Sequence, residues 1–204
     1  YIQREKRPTQ ISTMHSLGNK IVSENFKKLE LKKEVKVVEF DRDKGPIISD
    51  AAILLGFTEK DGKEALKDRV EANQKKSAKS AQIIDAYEKI LRKCNYIDYD
   101  DQIKSANILL KNDNKLRKKY SIHTKYLLVD EYQDINSDQF EMIELLSRDN
   151  RVGLFVAGDD DQSIYMFRGC SPDFIRNFAN SFGQNSIIIR MKTSRRCPEN
   201  ILQC

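Results

Sequence analysis

Two short apolar runs, each closing on acidic residues and separated by one helix-length segment, constrain this chain most. Tyr126-Leu127-Leu128-Val129 leads into Asp130-Glu131, and Gly153-Leu154-Phe155-Val156-Ala157 leads into Gly158-Asp159. Runs this short do not make helices; they are the mark of strands buried on both faces of a parallel sheet. Between them Phe140, Ile143, Leu145 and Leu146 supply a helical stripe. The order is therefore strand, helix, strand, for which a right-handed crossover is expected. Both strands then deliver carboxylates to one carboxyl edge of the sheet, where open α/β sheets bind ligands. A third run, Ser186-Ile187-Ile188-Ile189-Arg190, predicts a further strand.

The rest of the chain reads as strand and helix first, then helix. Gln10-Ile11-Ser12-Thr13-Met14 predicts a short strand, with Ser16 capping a helix through Leu17, Ile21 and Val22 towards Phe26. Lys36-Val37-Val38-Glu39-Phe40 is too short to assign. Asp43-Lys44-Gly45-Pro46 predicts a turn, after which Ser49 or Asp50 caps a helix with Ala51, Ile53, Leu54 and Leu55. Ile83, Ile84, Tyr87, Ile90 and Leu91 fall on one helical face, and so do Ile103, Ala106, Leu109 and Leu110 after Tyr99-Asp100-Asp101. The expected class is α/β: a partial parallel sheet with flanking helices over 1–44 and 121–204, plus an inserted helical, basic subdomain over 45–120.

Composition excludes several classes. With 39% hydrophobic and 33% charged residues the chain is globular in type, not disordered or collagenous. Its longest apolar runs fall far short of the roughly 18 residues that span a bilayer, and no apolar stretch follows the basic N-terminal residues as an export signal requires. No membrane association and a cytoplasmic location are expected. Cys94, Cys170, Cys197 and Cys204 include no Cys-x-x-Cys pair, and free thiols are expected. Net charge is +2 over residues 1–59, +7 over 60–125 and −4 over 126–204. Such a division suits a polyanion on one surface and a divalent cation on another. Charge alone favours the plainer reading, a solvated Lys-rich helical face.

The acidic edge has its own chemistry. An Asp at the end of a buried strand is held rigidly, and Mg²⁺ takes one or two carboxylates while keeping waters and phosphate oxygens. Asp130 fits that role. Glu131 is placed to orient or deprotonate a water attacking a phosphoryl group. Gln162 can sense a terminal phosphate, and Arg196 can neutralise charge developing on it. His15 and His123 are expected to make ordinary hydrogen bonds rather than to ligate metal.

Val129-Asp130-Glu131-Tyr132-Gln133-Asp134, followed by Gly158-Asp159-Asp160-Asp161-Gln162-Ser163-Ile164-Tyr165-Met166-Phe167-Arg168-Gly169, resembles motifs II and III of superfamily-1 DNA helicases of the UvrD/Rep/PcrA type. Ser12-Thr13-Met14-His15-Ser16-Leu17 is similar to motif Ia, and Ile97-Asp98-Tyr99-Asp100-Asp101 to a segment preceding motif II. The resemblance implies a RecA-like ATPase domain carrying a helical insertion, using ATP and Mg²⁺ to move 3′ to 5′ on single-stranded DNA, with a duplex junction as a further contact. It implies that Asp130 coordinates Mg²⁺, that Glu131 activates water and that Gln162 links the γ-phosphate to the DNA site. Tyr165 and Phe167 match the motif III aromatics, Phe standing where Trp is usual, with Arg168 beside them at the strand or phosphate contact. Met14 and His15 match motif Ia, where Met14 replaces a common Phe. Arg196 matches the motif IV arginine near the γ-phosphate. The usual string there is Asn-Tyr-Arg, so Ser194 and Arg195 depart from it, and Arg195 can substitute guanidinium stacking for aromatic stacking on adenine.

A phosphate-cradling Gly-x-x-x-x-Gly-Lys-Ser/Thr loop does not occur in the 204 residues. The chain therefore reads as the central piece of a longer helicase, without hydrolysis of its own. Two other classes stay open: a non-catalytic single-stranded nucleic-acid-binding module, and a degenerate ATPase serving as a scaffold.

Overall fold

The computed structural model describes residues 9–70, 77–122, 124–148, 153–165, 169–183, 185–194, 196–198 and 201. They form a mixed α/β fold in which two short parallel sheets carry the helices. The first helix, α1 (Met14–Glu24), is opened by Thr13, whose Oγ1 accepts from the Ser16 N–H at 3.1 Å. This overturns both the strand expected over residues 10–14 and the cap expected at Ser16. Residues 9–13 pair with no strand among the described residues. The Thr13 hydroxyl satisfies one of the helix's orphan N–H groups, which leaves Ser16 inside the first turn.

The segment too short to assign contains β1 (Lys36–Val38), which runs parallel to β2 (Tyr96–Asp98) with Val38 opposite Asp98. Between these strands lie α2 (Asp41–Leu54), α3 (Glu59–Val70) and α4 (Ala78–Lys93). Their inner faces close on Ile48, Ala51, Ala65, Ile83, Tyr87 and Leu91, together with Val38 of β1. The face predicted over residues 83–91 is this one. The turn expected at Asp43–Pro46 is instead the opening of α2, which runs straight through Pro46.

A buried ion network explains why helix wins there over the local Gly-Pro preference. Lys44 Nζ lies 2.9 Å from Asp98 Oδ1 and 3.0 Å from Asp100 Oδ2. Arg69 of α3 reaches Asp98 Oδ2 with Nη1 at 3.0 Å, and its Nη2 pairs with Asp101. The Tyr87 hydroxyl donates to Asp98 Oδ2 at 2.7 Å. Asp98, 0% exposed, is thus met by two cations and a phenol. Charges this deep persist only when paired and hydrogen-bonded, so the first turn of α2 is fixed by what Lys44 must reach.

After β2, α5 (Asp101–Asn112) buries Ile103, Ala106, Leu109 and Leu110, the stripe read from the sequence, and α6 (Asn114–Ile122) buries Leu116. These side chains share a core with Ile21 and Val22 of α1 and with Met142, Leu145 and Leu146 of a later helix, not with α2–α4. A Cβ on Gly18 would stand 3.0 Å from the Gln102 carbonyl oxygen, so α1 and α5 meet at backbone distance. The helical segment expected over 45–120 therefore divides between two packing clusters.

The predicted strand, helix, strand unit is present as β3 (Tyr126–Val129), α7 (Ser137–Ser147) and β4 (Gly153–Val156), with Leu127 opposite Leu154 and Val129 opposite Val156 in parallel register. A reciprocal cap starts α7: Asn136 Oδ1 accepts from the Gln139 N–H at 3.0 Å, and Gln139 Oε1 accepts from the Asn136 N–H at 2.9 Å. Leu127, Val129, Leu154 and Val156 pack into a core with Tyr132, Ile135 and Ile143. Two short helices, α8 (Asp173–Arg176) and α9 (Phe178–Phe182), complete it, with Phe174 stacked on Phe140 and Phe182 tilted against it.

Two expectations are corrected in this half. Burial on both strand faces was expected, but Tyr126, Leu128 and Phe155 are 65%, 68% and 59% exposed. Side chains alternate across a strand, and among the described residues only one face is covered. The strand expected over 186–190 is absent from the described residues, where Ile187, Ile188 and Ile189 are exposed. An apolar run becomes a strand only beside an edge that pairs its N–H and C=O groups, and no described edge does so. Cys94, Cys170 and Cys197 form no disulfide among the described residues, as expected, and the Cys170 thiol donates to the Asp134 carbonyl at 2.8 Å; Cys204 lies outside the described residues. No described helix is long and apolar enough to cross a membrane.

Candidate active site

The β3–β4 ladder continues past the strand ends. The Ala157 N–H donates to the Val129 carbonyl and the Tyr132 N–H to the Ala157 carbonyl, each at 2.9 Å. These bonds set Asp130-Glu131 and Gly158-Asp159 side by side at the carboxyl edge. Asp130 is exposed, and its Oδ1 accepts from the Glu131 N–H at 3.0 Å. Glu131 is also exposed and sits in the left-handed region, at φ 50° and ψ 46°. That conformation costs a residue with a Cβ about 1–2 kcal/mol. It turns the chain sharply from β3 into a 3₁₀ turn, Tyr132–Asp134.

Gln133, quoted in the sequence string but given no role there, is the residue that joins the two strand ends. It is 1% exposed. Its Nε2 donates to Glu131 Oε2 at 2.7 Å, its Oε1 accepts from the Asp159 N–H at 3.1 Å, and its carbonyl accepts from the Ser163 hydroxyl at 3.4 Å. Gly158 makes room for it, since a Cβ there would lie 2.6 Å from Gln133 Oε1. The available sequence signal was a neutral amide within an acidic string directly after an apolar run.

Across from Glu131, the loop after β4 caps itself. Asp159 accepts from the Asp161 N–H at 3.1 Å and from Gln162 Nε2 at 2.7 Å, which holds the exposed Gln162 over a short 3₁₀ turn, Asp160–Gln162. Arg176 of α8 donates through Nε to Asp160 Oδ2 at 2.7 Å and holds that carboxyl below its ordinary range. The carboxylates of Asp159, Asp160 and Asp161 lie within 4.8 Å of one another. Internal partners engage the first two, so the cluster is accounted for without a cation.

The other expected residues are placed as follows. Tyr165 is exposed at the end of this loop. Phe167, Arg168 and Arg195 lie outside the described residues, and so does His123. Met14, half-buried as the first residue of α1, packs against both cores. His15 stacks on Tyr99, ring centroids 4.1 Å apart. Burial holds the His15 imidazole below its ordinary value of 6.5, with the Asp100 charge opposing. Arg196 is exposed, and among the described residues no hydrogen bond or ion pair joins it to Asp130, Glu131 or Gln162. The structure thus gathers Asp130, Glu131 and Gln162 at one edge. An exposed carboxylate at a strand end suits Mg²⁺, which keeps several of its waters, and Asp130 stands directly after β3.

Comparison with known proteins gives the family. Residues 2–183 match the model of the UvrD/REP helicase N-terminal domain. The chain belongs to the UvrD/Rep helicase family. It is 32% identical over 216 residues to the ATP-dependent DNA helicase Rep of Escherichia coli (strain K12), covering 98% of this chain and 32% of that protein. The Rep helicase of Buchnera aphidicola subsp. Acyrthosiphon pisum is 31% identical over 213 residues, covering 95% of this chain and 32% of that protein. The ATP-dependent DNA helicase UvrD1 of Mycobacterium tuberculosis is 35% identical over 128 residues, 60% of this chain and 16% of that protein. The UvrD/Rep-type chain thus spans about a third of the length of the Rep relatives it matches.

Proposed function

We propose that the protein carrying this chain is an ATP-dependent DNA helicase that couples ATP hydrolysis to 3′ to 5′ movement on single-stranded DNA. The observation that carries the reading is the joined carboxyl edge, where Asp130 and Glu131 face the Asp159–Gln162 loop through Gln133. Bound at Asp130, Mg²⁺ would supply charge neutralisation of the phosphates. Glu131 accepts a proton from the attacking water as its oxygen bonds to the γ-phosphorus and the bond to ADP breaks, giving ADP and phosphate. Gln162 contacts the γ-phosphate, Arg196 joins it from motif IV, and Arg195 stacks on adenine. Tyr165, Phe167, Arg168, Met14 and His15 form the single-strand contact, where each stacked base is worth about 1–3 kcal/mol.

The RecA-like part comprises residues 1–44 and 121–204, with the helical, basic insertion over 45–120. The 204 residues alone, without a glycine-rich phosphate loop, do not turn over ATP. The test is steady-state ATP hydrolysis with and without single-stranded DNA, on the full-length protein and its Glu131→Gln variant. DNA-stimulated hydrolysis reduced by about 10²–10⁴-fold in the variant is expected. Salt-sensitive DNA binding without hydrolysis in the full-length protein would replace this reading with the binding module or the scaffold.

A further inference from the structure

Gln133 uses both ends of its amide, and neither end can be exchanged. The donor end meets a carboxylate oxygen of Glu131, and the acceptor end meets a backbone N–H of Asp159. Flipping the amide would set oxygen against oxygen and N–H against N–H, so the network itself fixes the orientation. The side chain crosses from the loop after β3 to the loop after β4, 26 residues away in sequence. It does so in a slot that Gly158 keeps open and from which solvent is excluded. Glu131 is otherwise an exposed side chain on a left-handed turn, with several rotamers open to it.

We propose that Gln133 is the positioning residue of the hydrolytic step: it holds Glu131 by one oxygen, leaving the other for water, and ties that carboxylate to the loop that carries Gln162. This rests on the reading of Glu131 as the group that activates water. Through this strut the distance between the water-activating carboxylate and the γ-phosphate-contacting amide is set by one side chain. An amide suits the task because it donates to Glu131 without competing for the transferred proton. Placement of this kind matters because misplacing a reacting group by an ångström costs on the order of 10²-fold in rate.

The test uses the full-length protein with Gln133→Met, which removes donor and acceptor at similar length, and Gln133→Glu, which keeps an acceptor for the Asp159 N–H but presents no donor to Glu131 at neutral pH. Both variants are expected to lower kcat by roughly 10- to 100-fold while KM for ATP and nucleotide-free binding of single-stranded DNA stay within about twofold. Hydrogen exchange at the Asp159 amide accelerates in Gln133→Met and stays protected in Gln133→Glu. In a Glu131→Gln background, Gln133→Met costs less than about twofold in single-turnover hydrolysis, because a residue acting through Glu131 has nothing left to position. An equal loss in both backgrounds would overturn the proposal, and so would a rise in KM at constant kcat. Should Gln133→Met fail to fold, Gln133→Glu decides by the same split between kcat and KM. Hydrolysis undiminished by Glu131→Gln alone would remove the functional reading itself, a result distinct from failure of the strut.

Discussion

At the scale of single residues, His15 gives the clearest dependence on pH. Its folded pKa is depressed because half-burial against Tyr99 disfavours the imidazolium, with Asp100 opposing. An unfolded chain therefore takes up the proton first. The contribution of His15 to stability is complete above its unfolded value near 6.5 and is lost as pH falls through that value towards the folded one. Urea unfolding between pH 7.5 and 5.5 should show stability falling in the parent and a flatter profile in His15→Gln. Carboxylates such as Asp160 titrate below that window, so the difference between the two proteins isolates His15. What was legible in the sequence at this scale was placement: Asp130, Glu131 and Gln162 follow apolar runs, and the structure has them at one sheet edge. Gln133, Lys44 and Arg69 were not legible, because their roles depend on partners 26, 54 and 29 positions away that only the fold brings near.

At the scale of elements, periodicity was reliable where an amphipathic face was long, as in α4 and α5, and unreliable where local chemistry competed with tertiary contacts. Gly45-Pro46 carries a turn signal, yet α2 continues through it because Lys44 reaches Asp98 and Asp100 while Ile48, Ala51 and Ala52 are buried. Pro46 is exposed and is the sixth residue of α2, so the Arg42 carbonyl has no N–H to accept from at that position. Replacing Pro46 with Ala restores a donor there. A gain of about 1–2 kcal/mol is expected, reduced somewhat by the freer unfolded chain; a raised urea midpoint at constant m-value would confirm it. The opposite error occurred at residues 10–14 and 186–190. β-Rich composition predicted strands in both, but a strand needs a neighbour's edge, and no local sequence pattern reveals whether that edge is present.

At the scale of the whole molecule, the two sheets differ in how they are closed. The β1–β2 pair is covered on both faces, by α2–α4 against Val38 and Tyr96 and by the α1–α5 core against Val37 and Ile97, whereas the β3–β4 pair leaves Tyr126, Leu128 and Phe155 bare on one face. Contiguous apolar side chains on a strand surface drive association. The 204-residue chain is expected to sediment as concentration-dependent oligomers, and Leu128→Lys with Phe155→Glu to shift it towards monomer. Sedimentation unchanged by both charges would place the contact elsewhere. The spacing of the parallel pairs has another consequence. Lys36 meets Tyr96 across 60 positions of chain, whereas Tyr126 meets Gly153 across 27. Closing the longer loop costs about 0.7 kcal/mol more in chain entropy. The unit that carries the acidic edge is thus the cheaper to nucleate, and it can stand as a template before the long excursion through α2–α4 has found its way home.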